Sequence, residues 1–205
     1  MSDVPPKRRK KSARPYHHGD LRRVVLETAA AMVREQKTWQ FTLREVARRA
    51  GVSHTAPYNH FADKGALLAE LAMGGFDALR MALEASRPKR PGAFRDEYFA
   101  VARAYVRFGT ENPGLYRLMF SQDVGYDVHM SERSVAAFGV MLELLARGQA
   151  TGAIKKARLR AQAAACWAAV HGITTLCIEG LFEPAIVGKA PVDAALATLF
   201  EGLAP

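Results

Sequence analysis

Residues 41–71, FTLREVARRAGVSHTAPYNHFADKGALLAEL, constrain the fold more than any other stretch of the chain. Thr42 and Glu45 stand in the T-x-x-E spacing of a capping box, which satisfies two free N–H groups at a helix start. Val46, Ala47 and Ala50 give that helix one apolar side, and Gly51 can end it in the left-handed conformation. Ser53 is a good N-cap for a second short helix, His54–Phe61. Pro57 falls within or just after the first turn of that helix, where it costs little. Asp63 can cap a third helix that runs from Lys64 past Leu79, with Leu67, Leu68, Leu71, Phe76 and Leu79 apolar. The two short helices, each of about eight residues, are too short to be stable alone. Joined by a tight glycine turn they form a helix-turn-helix pattern. They must pack on flanking helices, so about residues 20–70 are expected to make one three-helix unit.

The remainder also reads as helical. After Asp20, a plausible N-cap, apolar residues recur at helical spacing from Leu21 to Val33 and stop near Gln36. Beyond a break at Ser86–Gly92, a helix from Phe94 is stopped by Asn112-Pro113, and Leu115–Phe120 form a short apolar helix. A polar stretch, Ser121–Met130, precedes a helix that ends at Gly148–Gly152. An Ala-rich helix of about 160–182 and a last helix of about 191–203 complete the chain. There is no strand alternation and no repeat at a fixed period. The expected fold is all-α with about nine helices. Its parts are a disordered basic arm (1–16), a helix-turn-helix unit (17–70) and a helical body (71–205).

Charge separates these parts. Residues 1–90 hold 18 Lys/Arg and 9 Asp/Glu, whereas residues 91–205 hold 11 of each, so the whole net charge of +9 lies in the first part. An N-terminal segment that meets a polyanion and a C-terminal segment with another task fit that asymmetry. No unbroken apolar run reaches ~18 residues, so no membrane span is expected. The basic N-terminus has no apolar stretch behind it, which argues against a secretory signal. Cys166 and Cys177 on one helix would lie ~16 Å apart, too far to bridge, and a reducing cytoplasm suits them. They read as small buried hydrophobes. His17-His18 lack a partner at ligand spacing, so no metal or cofactor is expected.

Several motifs resemble the TetR family of transcriptional regulators. They are FTLREVA (41–47), AGVS (50–53), APYNHF (56–61) and Asp63-Lys64 in the first part. WAAVHG (167–172), Asn112-Pro113 and GLYRLMF (114–120) resemble one branch of the family, with a C-terminal domain of the WHG type. The resemblance covers most of residues 17–203. It implies a homodimer on a palindromic double-stranded DNA operator, usually a repressor released by a small-molecule effector. His54–Phe61 would then be the recognition helix. Pro57 and Phe61 share one face and, with Val52, are natural core contacts. Thr55, Tyr58 and Asn59 project from the other side, flanked by His54, Ala56 and His60. An Asn can pair with adenine, and an Ala or Thr methyl can touch a thymine methyl. A merely solvated face usually carries Lys and Glu, and this one has neither. The same residue-by-residue match implies phosphate contacts from Thr42, Lys64, Tyr58 and His60. Arg44 could reach a base edge or a phosphate, or pair with Glu45 instead. The run Lys7–Lys11 with Arg14 either follows the DNA or is a solvated tail.

The middle helices are rich in aromatic and Met side chains, most of them core. A pocket between such helices is the default place for a ligand in a bundle. Phe108, Tyr116, Phe120, Phe138, Trp167 and His171 are the candidate lining residues, although Trp167 and His171 read more readily as packing residues. Two other classes remain open: a helical enzyme with a basic head, and an architectural DNA binder without a ligand. No H-E-x-x-H, phosphate-binding loop or G-x-S-x-G pattern occurs.

Overall fold

Helical periodicity over nearly the whole chain becomes, in the computed structural model, a bundle of packed helices. The structure describes residues 18–90, 92–125 and 128–205, so the expected basic arm and His17 lie outside the described residues. These fold into nine α-helices and one 3-10 helix, with no strand among them. The helices are α1 (His18–Gln36), α2 (Leu43–Ala50), α3 (Lys64–Ser86), α4 (Phe94–Glu111) and α5 (Pro113–Met119). They continue as α6 (Val128–Ala150), α7 (Leu159–Ile178), α8 (Pro184–Val187) and α9 (Pro191–Glu201). The 3-10 helix, Ala56–Asn59, lies between α2 and α3.

The capping box forms at α2. The Thr42 N–H donates to Glu45 Oε2 at 2.6 Å, and the Glu45 N–H donates to Thr42 Oγ1 at 3.2 Å. Gly51 ends the helix at φ 71°. The Asp63 carboxylate accepts the Ala66 N–H at 2.8 Å and caps α3. The Thr42 backbone and hydroxyl hold the Glu45 carboxyl below its ordinary range. The cap is therefore complete above the unfolded carboxyl pKa and is lost as pH falls through the folded one. Thr42→Ala should lower Tm by about 2–4 °C at neutral pH, the worth of one cap in a chain of this size, as differential scanning calorimetry would show.

Four local expectations are corrected. α1 starts at His18, so Asp20 lies inside its first turn and not at the cap. The second short element is not an α-helix over His54–Phe61. The N–H groups of Ala56, Tyr58 and His60 donate to the carbonyls of Ser53, Thr55 and Pro57 at 3.0–3.1 Å. Pro57 has no N–H to offer the Ser53 carbonyl; Ala56 takes that carbonyl instead and the winding tightens to three residues per turn. α7 stops at Ile178, short of 182, because Gly180 adopts φ 69°. The Leu181 and Gly180 N–H groups then donate back to Leu176 and Cys177, a Schellman ending. Finally, α8 is an unexpected short helix, wholly exposed.

Packing links the first helices to the rest of the bundle. α1 lies against α2, the 3-10 helix, α3 and α5. α3 is continuous through the expected division at 70/71 and also packs on α4, α5 and α6. α7 packs on α4, α6 and α9, with Ala163, Cys166, Val170 and Ile173 inside. By length and composition α7 is apolar enough to cross a membrane, an exception to the expectation drawn from unbroken apolar runs. Cys166 is buried, Cys177 half-buried, and both are free thiols.

Candidate nucleic-acid interface and internal cavity

The tightened turn sets which side chains face outward. Thr55, Tyr58 and Asn59 are exposed, as is His54, while His60 is half-buried. Ala56 is buried with Pro57 and Phe61. Its methyl belongs to the core, which removes it from the outward row the sequence assigned to it. Phe61 is held by Arg22, whose guanidinium lies 5.4 Å from the ring centroid and pairs with Glu70. That contact ties the turn to α1 and α3.

The two flanking helix starts are more occupied than the sequence suggests. The Thr42 hydroxyl lies 2.9 Å from Glu45 Oε2, so hydroxyl and backbone N–H are both engaged with that carboxylate. The first-turn N–H groups of Leu43 and Arg44 are the open donors there. Arg44 is exposed, and the carboxylate it might have paired with turns to Thr42. Lys64 begins α3 with its Nζ 5.5 Å from the Phe41 ring centroid. The cation–π contact fixes where this ammonium points.

A cavity of about 330 Å³ lies in the body between α3, α4, α6 and α7. Phe76, Tyr105, Phe120, Phe138, Met141 and Trp167 contribute to its wall. Of the six residues expected from the sequence, Phe120, Phe138 and Trp167 line it. Phe108, Tyr116 and His171 do not. Phe108 and His171 stand about one turn beyond Tyr105 and Trp167 on their helices, and Tyr116 stacks on His171 at 5.5 Å. Tyr105 lines the cavity and, through its hydroxyl, joins the layer behind it. It accepts from Trp167 Nε1 and from the Tyr116 hydroxyl, each at 3.2 Å, and Tyr116 meets His171 Nδ1 at 2.7 Å. Spacing alone does not distinguish Tyr105 from Phe108, which lies on the same side of α4.

Burial raises the Tyr105 and Tyr116 hydroxyl pKa values and lowers that of His171. All three groups are therefore neutral near pH 7. A histidine whose folded pKa lies below its unfolded value contributes fully above the unfolded pKa. Its contribution falls as pH drops through about 6.5. The native protein should lose stability between pH 7 and 5, and His171→Asn should lose less, as urea midpoints at each pH would report.

α5 joins this layer to the first three helices. Phe120, just past its end, lines the cavity, and Gly114 at its start packs on α1. A Cβ at Gly114 would lie 2.7 Å from the Val33 carbonyl oxygen and 3.0 Å from Lys37 Cα, so only glycine permits this approach. Among the described residues no group of three His, Cys, Asp or Glu side chains could hold a metal.

Residues 25–71 match the model for bacterial regulatory proteins of the tetR family. Residues 98–203 match that for a tetracyclin repressor-like C-terminal domain. No curated protein matches. Among solved structures, a protein of unknown function from Rhodococcus sp. RHA1 is 36% identical, with a TM-score of 0.82 over 94% of this chain and 100% of its own. A TetR family transcription regulator from Marinobacter aquaeolei VT8 is 19% identical, with a TM-score of 0.66 over 91% of this chain and 96% of its own. The TetR family transcriptional regulator PfmR from Thermus thermophilus is 18% identical, with a TM-score of 0.63 over 85% of this chain and 94% of its own.

Proposed function

The chain belongs to the TetR family of DNA-binding transcriptional regulators, and on that premise we propose that it is a homodimeric repressor released from a palindromic operator by a small, mostly apolar effector. In this reading residues 17–70 read the DNA and residues 71–205 bind the effector and the second subunit. Thr55 and Asn59 face base edges with His54 beside them. Tyr58, His60 and Lys64 hold phosphates. Thr42 acts through the helix start it caps, and Arg44 reaches either a base or a phosphate. The regulator works in the cytoplasm, where the bacterial chromosome lies.

The continuity of α3 carries the effector reading. Leu67, Leu68 and Leu71 are buried at its first turns, whereas Phe76, Leu79 and Leu83 further along line the cavity. A molecule that fits the cavity better in one setting of α3 biases the position of the DNA-reading turn. The dimer reading rests on α7 and α9 as a helix pair, two copies of which would make a four-helix bundle at ~20° crossings. The recognition turns would then stand ~34 Å apart, or a multiple of that spacing. Sequencing the genomic DNA that co-purifies with the protein would give the operator. Fluorescence anisotropy of that duplex with hydrophobic compounds should then show release. Compounds that bind the protein yet leave operator affinity untouched would refute the effector role.

A further inference from the structure

We propose that the molecule this cavity takes is uncharged and presents a carbonyl-type oxygen to the hydroxyl proton of Tyr105; the inference rests on the reading of the cavity as an effector site. No side chain of the wall carries a formal charge. Its aliphatic and aromatic members surround three polar residues, Tyr105, Ser134 and Trp167. The backing layer is neutral as well, since burial keeps the tyrosines protonated and His171 deprotonated. A charged ligand would leave water for a wall with no counter-ion, which is strongly unfavourable.

Proton accounting selects the acceptor. Trp167 Nε1 can only donate, and it donates to the Tyr105 oxygen. The Tyr116 hydroxyl also donates to the Tyr105 oxygen. With that proton used, the 2.7 Å contact between Tyr116 and His171 requires Nδ1–H of His171 to be the donor. His171 Nδ1, 3.5 Å from the Tyr105 hydroxyl, is then no acceptor either. Tyr105 thus accepts two hydrogen bonds, and its own proton has no acceptor in the layer behind it. Ser134, the other wall hydroxyl, donates to the Ser131 carbonyl at 3.0 Å. The Tyr105 proton is the donor left for a ligand. An apolar molecule would leave that proton without a partner, which a site built around a donor penalises.

Three probes of nearly equal shape test this: acetophenone, α-methylstyrene, in which a methylene replaces the oxygen, and benzoate. Affinities would be measured by protein NMR titration on the full chain, native and Tyr105→Phe. The ratio of acetophenone to α-methylstyrene affinity should fall about 5- to 10-fold in Tyr105→Phe, the worth of one hydrogen bond. Benzoate should bind neither protein measurably. His171→Phe removes the one imidazole nitrogen near the Tyr105 hydroxyl and should keep the native ratio, which separates loss of the donor from disturbance of the layer. An unchanged ratio in Tyr105→Phe, benzoate binding as well as acetophenone, or no binding of any probe overturns the inference. Operator anisotropy in the same samples separates the two readings. Binding with the expected ratio but without release removes the effector role and leaves the inference standing. Release with an unchanged ratio does the reverse.

Discussion

Ala168→Glu should turn the protein from a dimer into a 22.5 kDa monomer and weaken operator binding by about a hundredfold or more. From Ala161 to Ile178 α7 contains no Asp, Glu, Lys or Arg. Its inner side is in the core, but Ala161, Ala165, Ala168, Thr175 and Leu176 are exposed. A face meant for water ordinarily carries charged residues. Small side chains in this row let a second helix approach closely, and a carboxylate there would be desolvated against its symmetry mate. The effect on DNA is larger than that on any one contact, because two linked heads bind two half-sites with an effective concentration that separate heads lack. Light scattering and operator titration of the same samples decide the matter. A variant that remains a dimer places the interface elsewhere. A native protein that is already a monomer at micromolar concentration removes the dimer altogether.

Lys64→Ala and Asn59→Ala should both damage DNA binding, in different ways. Lys64 sits at the start of α3 with its ammonium held over Phe41, and the neighbouring cap already uses the Ala66 N–H. Its contribution to a phosphate is therefore that of the side chain. Its loss should weaken all sequences alike and reduce the slope of log K against log salt by ~0.9 per contact, ~1.8 per dimer. Asn59 is exposed beside Thr55 and Tyr58 on the tightened turn. A base contact carries ~1–3 kcal/mol of discrimination, so Asn59→Ala should flatten the preference at one position of each half-site. Titrations of operator variants at several salt concentrations separate the two. Full sequence preference in Asn59→Ala, or an unchanged slope in Lys64→Ala, would show the assigned roles to be wrong.

Features that depend on residues three or four apart were legible in the sequence. The capping box of Thr42 and Glu45, the Asp63 cap and the stop at Asn112-Pro113 are legible because each is set by residues within one turn of the chain. The Gly180 ending of α7 had the same kind of signal and was overrun by the apolar residues beyond it. The all-α class follows from periodicity for the same reason.

The cavity obeys another rule. On α4, Tyr105 and Phe108 lie on the same side, and both read as aromatic residues of one apolar face. Only the crossing of α3, α6 and α7 over that face leaves space beside Tyr105 and fills it around Phe108. Ala56 shows the same limit at the 3-10 turn, where its burial follows from how the turn seats on α1 and α2 and not from its own residue type. The Thr42–Glu45 capping box, the Asp63 cap and the charged half of the molecule rest on local hydrogen bonding and composition, so the order of residues was enough to read them. Which side chains line the cavity depends on contacts between residues far apart in the chain, and these exist only once the bundle has packed.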